Sequence, residues 1–281
     1  MPHRLALILA LSLAVGRTAS ATGIVDDFES YGLGTFPSPP WLDAGGFMPL
    51  PPASTLPSAS VVSTLDALGN PTNALAVRDE VALLSGIYFP VPVSNTYSLA
   101  ADIRVDRFND LTTSPAVDFA MQLTFAQLSD NLYIAPQVGI YASSFTESWR
   151  LFLIPGGGGV TGADIDLGLA VGLGLWYRLQ LDFDATAGTW HAQIADASNG
   201  SILVNQMGAF ADWQPSFGPF DSVAFIEGEG GLGITTANLA LVDNINVTSS
   251  PVPEPATTSL VGGVLALLAL ARRHQLRGHP S

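Results

Sequence analysis

Several runs of the chain carry an apolar side chain at every second position, and no helical periodicity is sustained over three turns. In the run that begins at Tyr97, the apolar residues alternate with charged ones. They are Leu99, Ala101, Ile103 and Val105. A period of two places neighbouring side chains on opposite faces of a strand, and one apolar face beside one polar face is typical of antiparallel sheets. The sequence therefore predicts an all-β fold, an antiparallel β-sandwich of about a dozen strands.

A second run, from Asp118 to Gln127, alternates in the same way and predicts a strand with one solvent-exposed face. Its inward-facing residues are expected to be Phe119, Met121, Leu123 and Phe125.

The stretch from Trp176 to Asp196 predicts a hairpin that turns through residues 185–188. Any register in which paired residue numbers sum to an odd value brings the apolar residues of both strands to one face. The core side of this hairpin is then Tyr177, Leu179, Leu181, Phe183, Trp190, Ala192 and Ile194. The other side is a polar patch made of Arg178, Gln180, Asp182, His191 and Gln193.

The polar patch is a candidate glycan-binding surface. Trp176 lies on the polar side of its strand, and an aromatic ring beside planar polar groups is what sugar recognition requires. Two explanations of this tryptophan stay open: contact with a glycan, or cover by the proline-rich segment Phe36–Pro57, which we expect to be a long irregular loop. The candidate glycan-binding residues are Trp176, Arg178, Gln180, Asp182, His191 and Gln193.

The sequence offers few catalytic groups. It contains no cysteine, and His191 is the only histidine outside the two ends of the chain. A Ser-His-Asp triad or a multi-histidine metal site would therefore depend on His191. Glycoside hydrolysis needs two carboxyl groups that flank the bond. The acidic pairs at 164 and 166 and at 227 and 229 adjoin glycines and are typical of solvated turns, so no catalytic residue is predicted.

Acidic residues dominate the body of the chain. Residues 22–250 contain 23 acidic residues and five arginines without a lysine, a net charge of −18. Such a surface repels nucleic acid and anionic lipid headgroups and suits neutral glycans, cationic partners or divalent cations.

Calcium is the metal that such a chain would hold, because calcium takes six to eight oxygen ligands. Asp27 and Glu29 near the start, with Asp243 and Asn244 near the end, would meet if the terminal strands pair. The sequence requires no cofactor but is compatible with a structural calcium ion at these four residues. The alternative is ordinary turn chemistry.

Both ends of the chain carry processing signals. Residues 1–21 have a basic start, an apolar run and small residues before a cleavage site after Ala21, as in a secretory signal peptide cut by signal peptidase. The body, residues 22–250, is predicted to be one domain. In the tail, residues 251–281, the sixteen mostly apolar residues 256–271 are fewer than the roughly 20 that span a bilayer. A basic end, residues 272–281, follows and is expected to stay cytoplasmic.

The tail motif Pro253, Glu254 and Pro255, with the apolar helix 256–271 and the basic latch Arg272 and Arg273, resembles the PEP-CTERM sorting tail of Gram-negative exported proteins. The resemblance implies that an exosortase recognises the tail and removes it near the motif, after transient membrane association through the helix. It also implies export through the inner membrane to the cell surface or extracellular matrix, in bacteria that make exopolysaccharide and biofilm. The alternative is a plain C-terminal membrane anchor.

The body resembles the concanavalin A-like lectin/glucanase jelly roll in its early segment from Asp26, its hairpin from Trp176 and its closing segment 239–247. In that fold the first and last strands lie side by side. Together the two resemblances predict an exosortase-processed protein that binds or organises exopolysaccharide without catalysis. The alternatives are a polysaccharide hydrolase or lyase on the same scaffold, and a structural matrix protein without a ligand site.

Overall fold

The computed structural model describes residues 22–251, except for 38–39, 44–58, 79–83, 92, 109–118, 125–136, 155–161, 212, 214–219 and 229–238. Residues 21–251 form one compact unit. The predicted signal peptide and sorting tail, including Glu254, Arg272 and Arg273, lie outside the described residues. No helix within the described ranges is long and apolar enough to cross a membrane.

The described residues form fifteen β-strands and no helix. In chain order the strands are β1 Thr22–Asp26, β2 Leu42–Asp43, β3 Ala59–Leu65, β4 Pro71–Arg78, β5 Leu84–Pro90, β6 Ser94–Arg107, β7 Phe119–Thr124, β8 Gln137–Ser143, β9 Ser148–Ile154, β10 Ala163–Ala170, β11 Trp176–Asp184, β12 Thr189–Asp196, β13 Ile202–Ala209, β14 Ser222–Gly228 and β15 Leu239–Pro251.

These strands make two antiparallel sheets that pack as a sandwich. Sheet A has eight strands in the order β13-β12-β11-β6-β15-β4-β3, and β1 also pairs with β15. Sheet B has seven strands in the order β10-β9-β8-β7-β14-β5-β2. One large apolar core lies between the sheets and takes alternate residues from both. The predicted all-β sandwich is therefore confirmed.

The predicted hairpin forms with the predicted register. Phe183 pairs with Trp190 and Leu179 with Ile194, so paired numbers sum to 373 throughout. The turn ends at Gly188, whose φ of +66° is a conformation that glycine adopts without strain. The apolar residues of both strands are buried in the core, and the polar patch lies on the outer face of sheet A.

The terminal strands also pair, as the jelly-roll resemblance implies. Ile24 of β1 lies opposite Val247 of β15 in an antiparallel ladder. A bulge between Asp243 and Asn246 interrupts the pairing of β15 with β6, and Asn244 there has a φ of +49°. Asparagine tolerates this left-handed conformation better than most residues do.

The prediction that one face of β7 is exposed to solvent is wrong. All six residues of β7 and all seven of β8 are buried, so the outer face of sheet B is covered as well as its inner face. A second apolar cluster lies on this outer face and contains Ala120, Tyr141, Phe152, Ala224 and Ile226. Of the predicted loop Phe36–Pro57, the described part contains β2 and the buried side chain of Trp41.

Gly139 in β8 supports a close approach between strands, and replacing it tests the packing of sheet B. A Cβ atom at this position would lie 2.5 Å from the carbonyl oxygen of Met121 and 2.8 Å from the Phe152 ring. Because the backbone of β7 cannot move away freely, we expect Gly139→Ala to lower the free energy of unfolding by about 1–3 kcal/mol.

Gly23→Ala is the matched control for urea denaturation. A Cβ atom at Gly23 would meet nothing closer than the Thr248 methyl group at 3.6 Å, so we expect a change within about 0.5 kcal/mol. Equal stability of the two variants would contradict the packing described for β7 and β8.

Candidate functional site

The outer face of sheet A carries a network of polar side chains centred on Asp182. Strand pairing aligns Ser98, Asp182, His191 and Met207 in one row across four strands. The Asp182 carboxylate accepts a hydrogen bond from the Ser98 hydroxyl. It also accepts from Gln180 Nε2, which lies 3.2 Å from Oδ1 and 2.9 Å from Oδ2. Its Oδ2 also lies 3.1 Å from Nδ1 of His191. Asp182 is therefore a fixed acceptor on a half-buried surface.

His191 is held between two acceptors. Its Nε2 lies 2.6 Å from Oδ1 of Asn205, on the side of the ring opposite to Asp182. The hydrogen bond with Asn205 raises the pKa of His191, and Asp182 raises it further, whereas partial burial opposes both. Because Ser98 bonds to Asp182 and not to the imidazole, the three residues do not form a nucleophile, base and orienting acid in the order that a catalytic triad requires.

The next row of the face presents amide groups. Gln180 lies opposite Gln193, and Gln193 lies opposite Asn205. Within the part of the chain that the structure describes, the Gln193 side chain forms no protein hydrogen bond, so its amide is open to a ligand. Arg178 donates to Asp102 Oδ1 at 3.2 Å and to the backbone oxygen of Asn244 at 2.7 Å.

A depression of about 490 Å³ adjoins the network, near the β11–β12 turn. Its rim includes Met207, which is 75% exposed. The polar lining consists of Thr96, Asp182, Asp184, Thr189 and His191. The face thus combines oriented amides and carboxylates with an open concavity and an exposed apolar side chain.

Trp176 lies on this face, as predicted, but its ring is covered. The side chain is 8% exposed, and its Nε1 donates to the backbone oxygen of Leu65 at 2.9 Å. The Arg104 guanidinium lies 5.1 Å from the ring centroid. The sequence left open contact with a glycan or cover by the segment Phe36–Pro57. The described contacts of the indole come instead from the β3–β4 hairpin and β15. The apolar residues packed with the indole include Ala74, Ala76 and Leu241.

Pairing of the terminal strands brings two of the four predicted calcium ligands, Glu29 and Asp243, to Thr72. Glu29 Oε1 accepts from Thr72 Oγ1 and from the backbone nitrogen of Asn73, both at 2.8 Å. Thr72 also lies 3.2 Å from Oδ2 of Asp243. Asp27 stays local, since its carboxylate accepts from the backbone nitrogen of Glu29.

The four predicted ligands do not form one shell. Asn244 directs its side-chain amide to Asp102 Oδ2 at 2.8 Å, away from the other three. In the described ranges no group of three or more histidine, cysteine, aspartate or glutamate side chains has the arrangement of a metal site. The set of Asp27, Glu29, Asp243 and Asn244 therefore does not form a calcium shell as arranged, and a structural calcium ion at these residues stays a prediction from the sequence.

The outer face of sheet B contains a cluster that the sequence did not reveal. Tyr141 donates to Asp164 Oδ1 at 3.0 Å, and Arg150 Nε lies 2.8 Å from the same oxygen. Arg150 also pairs with Asp166 at 3.3 Å. Burial, with the adjacent Asp164, raises the pKa of Tyr141 to about 12. Asp164 and Asp166 lie in strand β10 and not in a turn, and their partner is an arginine.

Asp243 is the most perturbed carboxyl group of the described residues. It is 3% exposed, and burial raises its pKa to about 6, with help from the charges of Asp102 and Asp27. Hydrogen bonds from the Asn244 backbone nitrogen and from Thr72 oppose the shift. The raised pKa means that folding costs more free energy when this group is ionised.

Asp243→Asn tests this cost. The stability contributed by the protonated form is complete below the unfolded pKa near 3.8 and is lost as the pH rises through about 6. Asparagine keeps an acceptor for the Asn244 nitrogen and can donate to Thr72. We therefore expect the variant to match the natural protein at pH 4 and to exceed it by about 2–3 kcal/mol at pH 7.

The measurement is urea denaturation at both pH values, with and without added calcium. Equal pH dependence of the two proteins would contradict the raised pKa. Stabilisation of the natural protein by calcium at pH 7, lost in Asp243→Asn, would instead restore the predicted ion site.

No family model matches the chain, and no curated protein matches it. Among solved structures, the cellulose-induced protein Cip1 is 14% identical over 83% of this chain and 100% of that chain, with a TM-score of 0.48. The basic winged bean lectin is 8% identical over 82% of this chain and 98% of that chain, with a TM-score of 0.49. A sialidase is 11% identical over 81% of this chain, with a TM-score of 0.46, and this chain spans 18% of that protein. At these identities the similarity concerns the fold alone.

Proposed function

We propose that the protein is exported, is trimmed by an exosortase near the motif Pro253, Glu254 and Pro255, and binds exopolysaccharide without catalysis at the cell surface or in the extracellular matrix. The observation that carries the binding role is the outer face of sheet A. There the amides of Gln180 and Gln193 lie side by side next to an open depression. Planar amides and carboxylates held in fixed positions suit the hydroxyl groups of a sugar.

The hydrogen bonding of Asp182 supports binding over hydrolysis. Its two oxygens are already engaged by Ser98, Gln180 and His191. A general acid or base must exchange a proton with the substrate, and this carboxylate is instead fixed by three neighbours. The same neighbours make Asp182 a good orienting group for a ligand hydroxyl.

Charge supports a neutral or cationic polysaccharide. Three of the five body arginines, at positions 104, 150 and 178, form ion pairs with aspartates. The body has a net charge of −18. An anionic polymer would be repelled by this net charge.

The double variant Gln180→Ala/Gln193→Ala tests the binding face. Each amide contributes about 1 kcal/mol through its hydrogen bonds, so removing both should weaken binding of the mature protein to host exopolysaccharide at least about tenfold. Thr186→Ala, in the exposed β11–β12 turn, is the control and should bind normally. Reducing sugar released from the polymer by the natural protein would favour a hydrolase, and unchanged affinity of the double variant would remove this face from the function.

Glu254→Ala tests the processing step in the natural host. We expect the variant to keep its tail and to remain with the membrane fraction, because the glutamate between two prolines is the recognised element. Mass spectrometry of the purified protein reads both termini at once. Thr257→Ala is the control within the tail. A natural protein that still ends in its arginines would show that the tail is a plain anchor.

A further inference from the structure

Strand β13 is an edge of sheet A. It pairs with β12 on one side, and no described strand pairs with its other side. Phe210, which follows β13, donates its backbone N–H to the carbonyl oxygen of Gly188, which precedes β12. Backbone groups of an antiparallel pair point alternately towards the partner strand and away from it. The N–H and C=O groups of Asn205, Met207 and Ala209 therefore point outwards, and all three residues are exposed.

The exposed edge carries no charge. Strand Ile202–Ala209 contains no acidic residue, no basic residue and no proline, although the body has a net charge of −18. Its exposed apolar side chains include Ile202 at 58% and Met207 at 75%. A bulge lies near the start of the strand, and residues 204–209 pair regularly with β12. A straight, uncharged and partly apolar edge is a surface to which another strand can add.

The other described edges are protected against such pairing. The segment at Gly34 and Thr35 hydrogen-bonds to the outer side of β3 and covers it. Strand β10 carries Asp164 and Asp166 and is interrupted by a bulge. Strand β2 has two residues, and β1 has five. Cover, charge, bulges and short length are the usual devices that keep edges from pairing. Among the described strands, β13 is the long edge that is neither charged nor covered.

The side of the sandwich next to β13 is closed and does not oppose a neighbour. The side chain of Gln206 reaches from β13 to β10 and donates to the backbone oxygen of Leu167 at 3.1 Å. The carboxylates of Asp164 and Asp166 on β10 pair with Arg150. The open backbone groups of β13 are therefore presented at the edge of a closed sandwich.

We propose that β13 pairs with β13 of a second copy of this chain, antiparallel and about a two-fold axis. A two-fold axis places the same edge opposite itself, so the outward donors and acceptors of both copies are satisfied together. Pairing joins the two A sheets into one continuous sheet. Because the body is strongly acidic, an uncharged edge is also where two copies approach with the least repulsion.

The pairing has a consequence for the polar patch. Asn205, which bonds to His191, lies beside Gln193 on the outer face of sheet A. A two-fold axis perpendicular to the sheet keeps this face on the same side in both copies. One polymer chain can then contact two patches, which raises the apparent affinity without a new contact. This consequence rests on the proposed glycan binding, whereas the pairing itself does not.

The first test is sedimentation equilibrium of the protein purified from its natural host, over a wide range of concentrations. We expect an equilibrium between monomer and dimer. Met207→Lys places a lysine from each copy at the shared edge, and the like charges should weaken the dimer at least about tenfold. Leu68→Lys is the matched control, because Leu68 is 71% exposed but lies in the β3–β4 turn. It should dimerise like the natural protein.

Two results of this experiment overturn the proposal. One is a natural protein that stays monomeric at the highest concentration reached. The other is a dimer that Met207→Lys weakens no more than Leu68→Lys does, which would place the contact elsewhere. Neither measurement uses a glycan, so polysaccharide binding through Gln180 and Gln193 stands or fails separately.

The second test locates the interface by the exchange of backbone amide hydrogens, measured residue by residue with NMR. The N–H groups of Asn205 and Met207 face water in the monomer, whereas those of Gln206 and Gly208 point to β12. Raising the protein concentration should slow exchange at Asn205 and Met207 at least about tenfold and change Gln206 and Gly208 little. Slower exchange at another surface, with Asn205 and Met207 unchanged, would contradict pairing through β13.

Discussion

Strand β15 is the element on which the rest of sheet A depends. It pairs with β6 along most of its length, with β4 over its first residues and with β1 over its later residues. One strand therefore joins the first and last segments of the body to its middle. Because these pairings are far apart in sequence, their loop-closure cost must be offset by the apolar residues of β15, such as Val242, Ile245 and Val247, which are all buried in the core.

The bulge in β15 connects this framework to the polar face. Its extra residue turns Asn244 outwards with a positive φ, and the backbone oxygen and side chain of Asn244 then bind Arg178 and Asp102. The same bulge leaves Asp243 buried beside Thr72. The bulge therefore positions Asn244 at one end of the polar network and buries Asp243, the carboxyl group with the most perturbed pKa of those described.

The hairpin of β11 and β12 shows how much of this could be predicted from sequence. Its alternating pattern fixes the parity of the register, because a slip of one residue would move Leu181 and Trp190 out of the core. The pattern therefore predicted both the fold class and the side of the strand on which Asp182 and His191 lie. The partners of these two residues, Ser98 and Asn205, come from other strands, and a local pattern carries no information about which strands become neighbours.

Strand β7 shows why the rest could not be predicted. Gln122 alternates with apolar residues as Gln180 does, and a period of two reports which residues share a face but not whether that face meets water. In β11 the polar face is half exposed and its carboxylate, amide and imidazole satisfy one another. In β7 the same pattern is buried, and the Gln122 amide nitrogen has no hydrogen-bond partner among the residues that the structure describes. A polar side chain therefore costs little free energy of folding on the half-exposed face of β11, and much more on the buried face of β7 when it lacks a hydrogen bond.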